Sequence, residues 1–131
     1  MTAQSLVIKL KRAYEPPDAS DGKRILVERL WPRGIAKADA ALDLWMKDIA
    51  PSTELRKWYN HQPERWETFQ EKYQQELRGK QEPVDQLLDI CRQGPVTFVF
   101  AARDEQRNSA VVLRDFLRKA MLKQRRSVRH P

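Results

Sequence analysis

Two arginines stand four residues apart around a Trp-Pro pair, Arg29 and Arg33, in the run Glu28-Arg29-Leu30-Trp31-Pro32-Arg33-Gly34. A guanidinium is permanently charged and offers a planar fork of donors that matches phosphate or carboxylate oxygens bidentately. Pro32 fixes its own φ and holds Trp31 extended, and Gly34 permits a sharp change of direction, so this loop is partly pre-organised. A third arginine, Arg103, follows the apolar run 96–102, with Asn108 a few residues on. If those two segments meet, three guanidiniums converge on one crevice. The amides that open the next helix would add donors for an anion. The opposing reading is structural: Arg29 pairs with Glu28 or Asp104 and clamps loops to the body. Trp31 could stack on a base or sugar, or plug a core and anchor its loop.

Other chemistry is sparse. Glu28 is the best acid/base candidate, provided burial raises its pKa. His61, beside Trp58-Tyr59, could serve as a base in a wet aromatic rim, or be a residue of the loop between two helices. Cys91 falls on an apolar helical face and reads as buried and inert. There is no GxGxxG, P-loop, HExxH or GxSxG string. Asp39, Asp43 and Asp48 are too scattered to form a metal constellation, and nothing in the chain calls for a cofactor. The chain offers charge and shape without an evident nucleophile.

The elements that must position these residues follow from apolar runs and their breakers. Leu6 to Leu10 predicts a strand. Pro16-Pro17-Asp18 and Ser20-Asp21-Gly22 break the chain. Arg24 to Leu30 predicts a second strand, buried at Ile25, Leu26, Val27 and Leu30. Residues 37–49 predict a short helix at 38–41 and then an extended segment through Leu42, Leu44 and Met46. Ser52 or Thr53 caps a helix over 53–59. Pro63 suits the first turn of the next helix, where Trp66, Phe69, Tyr73 and Leu77 share a face. Pro83 opens another, with Val84, Leu87, Leu88 and Cys91 on one side and Gly94-Pro95 as its stop. Residues 96–102 are apolar on both faces and predict a central strand. A long helix ends the chain, with Ala110, Leu113, Leu117, Ala120 and Met121 on one stripe. This order predicts an α/β fold: one compact domain, with a small, mostly parallel sheet flanked by helices. In such sheets ligands bind outside the carboxyl ends of the strands, and both arginine-bearing segments are strand ends.

Composition bounds the partners. The 131 residues carry 25 Lys+Arg and 18 Asp+Glu, a net of +7. Six of the basic residues (Arg118, Lys119, Lys123, Arg125, Arg126 and Arg129) lie in 118–131, which holds no acid, so the rest of the chain is almost neutral. That end is either an arm for nucleic acid or a solvated terminus whose charge suits a helix C-terminus. We divide the chain into an α/β domain, 1–122, and a basic tail, 123–131. No apolar run approaches the roughly 20 residues of a bilayer span. No secretory leader is evident at the N-terminus. The single cysteine excludes an intrachain disulfide and a multi-thiolate zinc site. The expected location is the cytoplasm.

The strings Leu10-Lys11-Arg12-Ala13-Tyr14-Glu15, Asp21 to Gly34, Ala50-Pro51-Ser52-Thr53-Glu54-Leu55-Arg56-Lys57-Trp58 and Phe100-Ala101-Ala102-Arg103-Asp104 together resemble the DUF488 family, in its YeaO-like branch. The resemblance spans about residues 5 to 122. It implies a compact α/β domain, bacterial and cytoplasmic in style, with no established activity. It adds Lys47 and Arg56 to the candidate basic residues, and it implies that Arg29, Trp31, Arg33 and Asn108 belong to one site. Glu28 stands where the family's usual residue is Asp. Arg107-Asn108 replaces a frequent His-Asn. The Cys found in other branches after the strand ending at Ala101-Ala102 is missing. The resemblance therefore does not carry histidine or thiol chemistry to this chain.

Three functions remain open on this reading. The first is a small anionic ligand, phosphorylated or carboxylated and a nucleotide among the options, held by Arg29, Arg33 and Arg103, with Trp31 stacking and Asn108 orienting it. The second is a nucleic-acid-binding module that uses the basic tail. The third is a non-catalytic partner-binding domain. Whether any reaction is catalysed, and the oligomeric state, are left open.

Overall fold

The computed structural model describes residues 6–129, with side chains as far as Lys123. Four strands form one parallel sheet: β1 (Ile8–Arg12), β2 (Lys23–Leu26), β3 (Leu44–Trp45) and β4 (Val96–Phe100), in the order β1-β4-β2-β3. Five α-helices accompany it: α1 (Lys37–Ala40), α2 (Thr53–Tyr59), α3 (Trp66–Arg78), α4 (Gln81–Arg92) and α5 (Ser109–Arg129). The fold class is the expected one. β4 is central and buried at every position, as its two-sided apolar sequence requires.

The period of two along the strands sorts side chains onto two faces. Ile8, Ile25, Val27, Val96, Phe98 and Phe100 face the main core, where α2 to α5 contribute Leu55, Phe69, Tyr73, Leu77, Leu87, Leu88, Leu113 and Leu117. The opposite face is divided. Towards the carboxyl ends, Leu26 and Val99 pack with Ala13, Trp31, Ile35, Leu42 and Trp45 in a second, smaller cluster. Towards the amino ends it is ionic. Asp21 is fully buried and accepts from Lys9, Lys11 and Arg24 at 2.8, 3.1 and 2.6 Å. Burial alone would raise its pKa. The lysine hydrogen bonds, the Asp18 N–H and Arg24 overwhelm that effect and hold the carboxyl far below the usual range. Gly22 closes this turn at φ 64°, where a Cβ would stand 2.1 Å from the Pro95 carbonyl oxygen.

The bounds of several elements differ from expectation, β1 running Ile8–Arg12 rather than 6–10 and β4 stopping at Phe100 rather than 102. The second strand ends at Leu26, and Leu30, expected in the core, is exposed. Val27 still donates to the Val99 carbonyl, and the chain leaves the sheet after it, where the Glu28 and Arg29 side chains bond Ala101, Ala50 and Pro51. α4 begins two residues before Pro83, which sits in the first turn, where its missing N–H costs nothing. α5 continues as helix to Arg129, so the backbone of 123–129 extends the last helix. The side chains of 124–131, which include Arg125, Arg126 and Arg129, lie outside the described residues.

Candidate functional site

β2 and β4 are hydrogen-bonded neighbours, with Leu26 opposite Val99. Their carboxyl ends therefore open side by side, and one hydrogen bond ties them: Glu28 Oε2 accepts from the Ala101 N–H at 3.2 Å. Above this junction lies a crevice of about 440 Å³, within the usual range of small-molecule sites. Glu28, Trp31 and Arg33 come to it from the end of β2, Arg56, Tyr59 and His61 from α2 and the turn after it, Phe69 from α3, and Ala101, Arg107, Asn108 and Ser109 from the β4–α5 connection. Tyr14 adds a wall from the end of β1.

Each arrival has a local cause. Ser52 caps α2, its Oγ accepting from the Leu55 N–H, and is itself held by both oxygens of Glu76. This fixes the helix that carries Arg56. Asn60 and then His61 adopt left-handed backbone, φ 46° and 54°, which turns the chain so that His61 lines the rim. Asn is at home there; the histidine is a less common occupant. Tyr14 Oη donates to the Arg33 carbonyl, and Trp31 Nε1 to the Ile35 carbonyl, so the loop 31–35 is pinned from both sides. Trp31 also meets Trp45 edge-on at 5.3 Å. It is both an anchor of the smaller core and a wall of the crevice. Tyr59 packs on Phe69 at 4.6 Å.

The charges are unequally satisfied. Among the described residues, no hydrogen bond or ion pair engages the guanidinium of Arg33 or of Arg56. Arg107 shares an exposed ion pair with Asp104 at 2.9 Å. Burial raises the Glu28 pKa, while the Ala101 N–H, Arg56 and His61 pull it back. The crevice thus holds a desolvated carboxyl within reach of cations that do not bond it.

The sequence-derived candidates divide. Glu28, Trp31, Arg33, Asn108, Arg56 and His61 come together in the crevice. Arg29 turns away: its Nε donates to the Pro51 carbonyl and its Nη2 to the Ala50 carbonyl, both at 3.2 Å. It is a clamp on the segment before α2, where Lys80 donates to Ala50 as well. Arg103 is exposed and is not among the lining residues. Lys47 lies over the Trp45 ring at 4.2 Å, also outside the lining. Asn108 lines the crevice with its amide committed inward, donating to the Asp104 carbonyl and accepting from the Val111 N–H. It caps α5 and shapes the mouth.

Tyr14 and Arg107 are not among the sequence-derived site residues; of the aromatic rim read beside His61, Tyr59 lines the crevice and Trp58 does not. The rule that picked the other two strand ends applies equally to the end of β1, where Tyr14 stands. Arg107 was visible as the residue before the α5 cap. Cys91 is buried on α4, and burial pushes its thiol up to about 12. Among the described residues, no group of three or more His, Cys, Asp or Glu side chains is placed to hold a metal ion, and no helix is long and apolar enough to cross a membrane.

Comparison with known proteins agrees with the motif strings. Residues 7–130 match the family described as "Inactive DUF488-N3 subclade". The uncharacterized protein YeaO of Escherichia coli (strain K12) is 48% identical over 111 residues, covering 85% of this chain and 96% of that protein. The uncharacterized proteins Mb3100c of Mycobacterium bovis and Rv3073c of Mycobacterium tuberculosis are each 44% identical over 110 residues, covering 84% of this chain and 92% of theirs. No solved structure matches. Arg29, Trp31, Arg33 and Arg56, which build the crevice or clamp its frame, all lie in the strings that carried the resemblance. The chain belongs to the DUF488 family, in its YeaO-like branch.

Proposed function

We propose that this protein is a binding domain that takes a small phosphorylated or carboxylated molecule in the crevice at the carboxyl ends of β2 and β4, without turning it over. The observation that carries this is the pair Arg33 and Arg56, guanidiniums that make no hydrogen bond or ion pair among the described residues and line one aromatic-walled crevice. A cation held near a half-buried cavity with no counter-charge bonded to it is a ready partner for an anion. Arg107 adds charge at the same rim, where Asn108 and Ser109 bring the start of α5 to the lining. The family description as an inactive subclade supports binding without chemistry.

The test is a thermal-shift titration of the full chain with orthophosphate, ribose 5-phosphate and a short single-stranded oligonucleotide, at low and moderate salt. Ligand at 100 times its Kd adds about 2.7 kcal/mol. The expected result is a shift with ribose 5-phosphate that persists in moderate salt and is lost in Arg56→Ala. That variant should fold normally, within about 0.5 kcal/mol of wild type, since Arg56 makes no bond that the fold needs. A shift from the oligonucleotide alone, lost in moderate salt, would refute the crevice reading and move binding to the basic end of α5.

A further inference from the structure

The crevice is layered by charge. Glu28, half-buried, is its inner ionisable group, while Arg33, His61 and Arg107 are exposed at the mouth. Among the described residues the Glu28 carboxylate makes one hydrogen bond, through Oε2 to the Ala101 N–H. Oε1 makes none, yet no buried side-chain oxygen in the described structure lacks a partner. Oε1 is therefore not sealed in; it opens into the cavity that Glu28 lines. The same lining carries flat aromatic surface, Trp31 on one element and Tyr59 with Phe69 on others.

A ligand that engages all three kinds of group presents hydrogen-bond donors, a flat ring and an anion. We propose that the crevice recognises a guanine nucleoside monophosphate, its base pairing with the Glu28 carboxylate between the aromatic walls and its phosphate lying against Arg33 and Arg56. This rests on the anion-site reading and adds the identity of the inner end. Guanine presents two adjacent donors, N1–H and the N2 amino group, spaced for the two oxygens of one carboxylate. Oε2 keeps a second lone pair beside its bond to Ala101. Adenine and cytosine set a ring-nitrogen acceptor beside their amino donor, which puts two lone pairs face to face with an ionised Glu28. Uracil flanks its one N–H with two carbonyls, which clash in the same way. An aliphatic zwitterion would satisfy the two charged ends and leave the aromatic walls unused.

The test uses the full wild-type chain and isothermal titration with GMP, IMP, AMP and ribose 5-phosphate. GMP is expected to bind roughly tenfold or more tighter than AMP and ribose 5-phosphate, because a site built to hydrogen-bond a donor pair discriminates strongly against a ligand that lacks it. IMP, which keeps N1–H and lacks the amino group, should fall between. In Glu28→Gln, whose amide offers one acceptor and one donor, the preference for GMP over AMP should collapse or reverse. If ribose 5-phosphate binds and GMP is no tighter than AMP, the guanine assignment is overturned while the anion site stands. If none of the four binds, both are overturned.

Discussion

Arg29 separates a residue that builds the site from residues that touch what enters it. Its two bonds, to Pro51 and Ala50, reach a segment more than twenty residues away, and that segment leads directly into α2 and Arg56. In Arg29→Ala both bonds are lost. The Ala50 carbonyl keeps Lys80 at 2.9 Å, but the Pro51 carbonyl, in a buried residue, loses its donor. A hydrogen bond from a charged donor is worth about 1.5–3 kcal/mol, and an orphaned buried acceptor costs about 1–3 kcal/mol; the two overlap, so the expected loss is about 2–3 kcal/mol. For a domain of this size that lowers Tm by about 10 °C. Arg29→Lys keeps the charge but replaces the planar fork by one ammonium nitrogen, and should lose about half as much. The assay is urea unfolding beside titration with ribose 5-phosphate. The clamp reading predicts a clear fall in the urea midpoint with a residual binding signal in the folded fraction. A midpoint equal to wild type together with a tenfold or greater loss of affinity would refute it, and would make Arg29 a ligand contact instead.

Two further predictions concern the two buried carboxyls. Asp21→Asn keeps the shape of the ionic cluster and removes its charge, leaving the buried Arg24 unpaired; it should cost about 3–5 kcal/mol, read by urea unfolding at pH 7. Lys9, more than a third exposed, contributes little to that figure. Because the folded pKa of Asp21 is depressed, its stabilisation is complete above the unfolded value near 3.8 and is lost as pH falls below it. Wild type should weaken steeply there, and Asp21→Asn should not. Glu28 has the opposite sign. Its folded pKa is raised by burial, so its protonated form suits the fold below the unfolded value of 4.5, and that advantage is lost as pH rises through the folded value. Glu28→Gln, which keeps an acceptor for Ala101, should therefore be more stable than wild type at pH 7 and equal to it below pH 4.5. A variant less stable at pH 7 would contradict this account of Glu28.

The fold was legible where a local signal decides the outcome. α2 occupies 53–59 as expected, since Ser52 caps one end and left-handed Asn60 closes the other, both within the segment itself. The apolar run that opens at Val96 lies inside the sheet as β4, which stops at Phe100, two residues short of the expected end. β3 was less distinct. It is two residues long, and its pairing with Ile25 and Leu26 is set by a partner strand that local pattern does not reveal. The candidate site was half legible for a related reason. That the ends of β2 and β4 carry charge is written in the sequence, and the parallel topology brings them together. Where a guanidinium points is decided by whichever acceptor lies within reach of its long stem. For Arg29 the acceptors are two carbonyls supplied by the segment before α2, and for Arg33 none is in place among the described residues. Nothing in the spacing of the two arginines distinguishes them.

The two buried carboxyls show how structure and function divide in this fold. Asp21 and Glu28 flank the same strand at opposite ends, Asp21 fully buried and Glu28 half-buried. Asp21 receives Lys9, Lys11, Arg24 and the Asp18 N–H, so both of its oxygens are engaged by the fold. A carboxylate so completed has nothing left to offer a ligand, and its depressed pKa records that completeness. Glu28 receives one backbone N–H, and its pKa moves the other way because desolvation outweighs what the protein returns. Folding alone gives no reason to keep such a group: a glutamine would hold Ala101 as well, without the cost of a desolvated charge. A partner that enters the crevice and donates to the open oxygen would supply the reason. The stability of Glu28→Gln and its ligand preference are thus two readings of one proposition, and gaining stability while losing discrimination is the combination it requires.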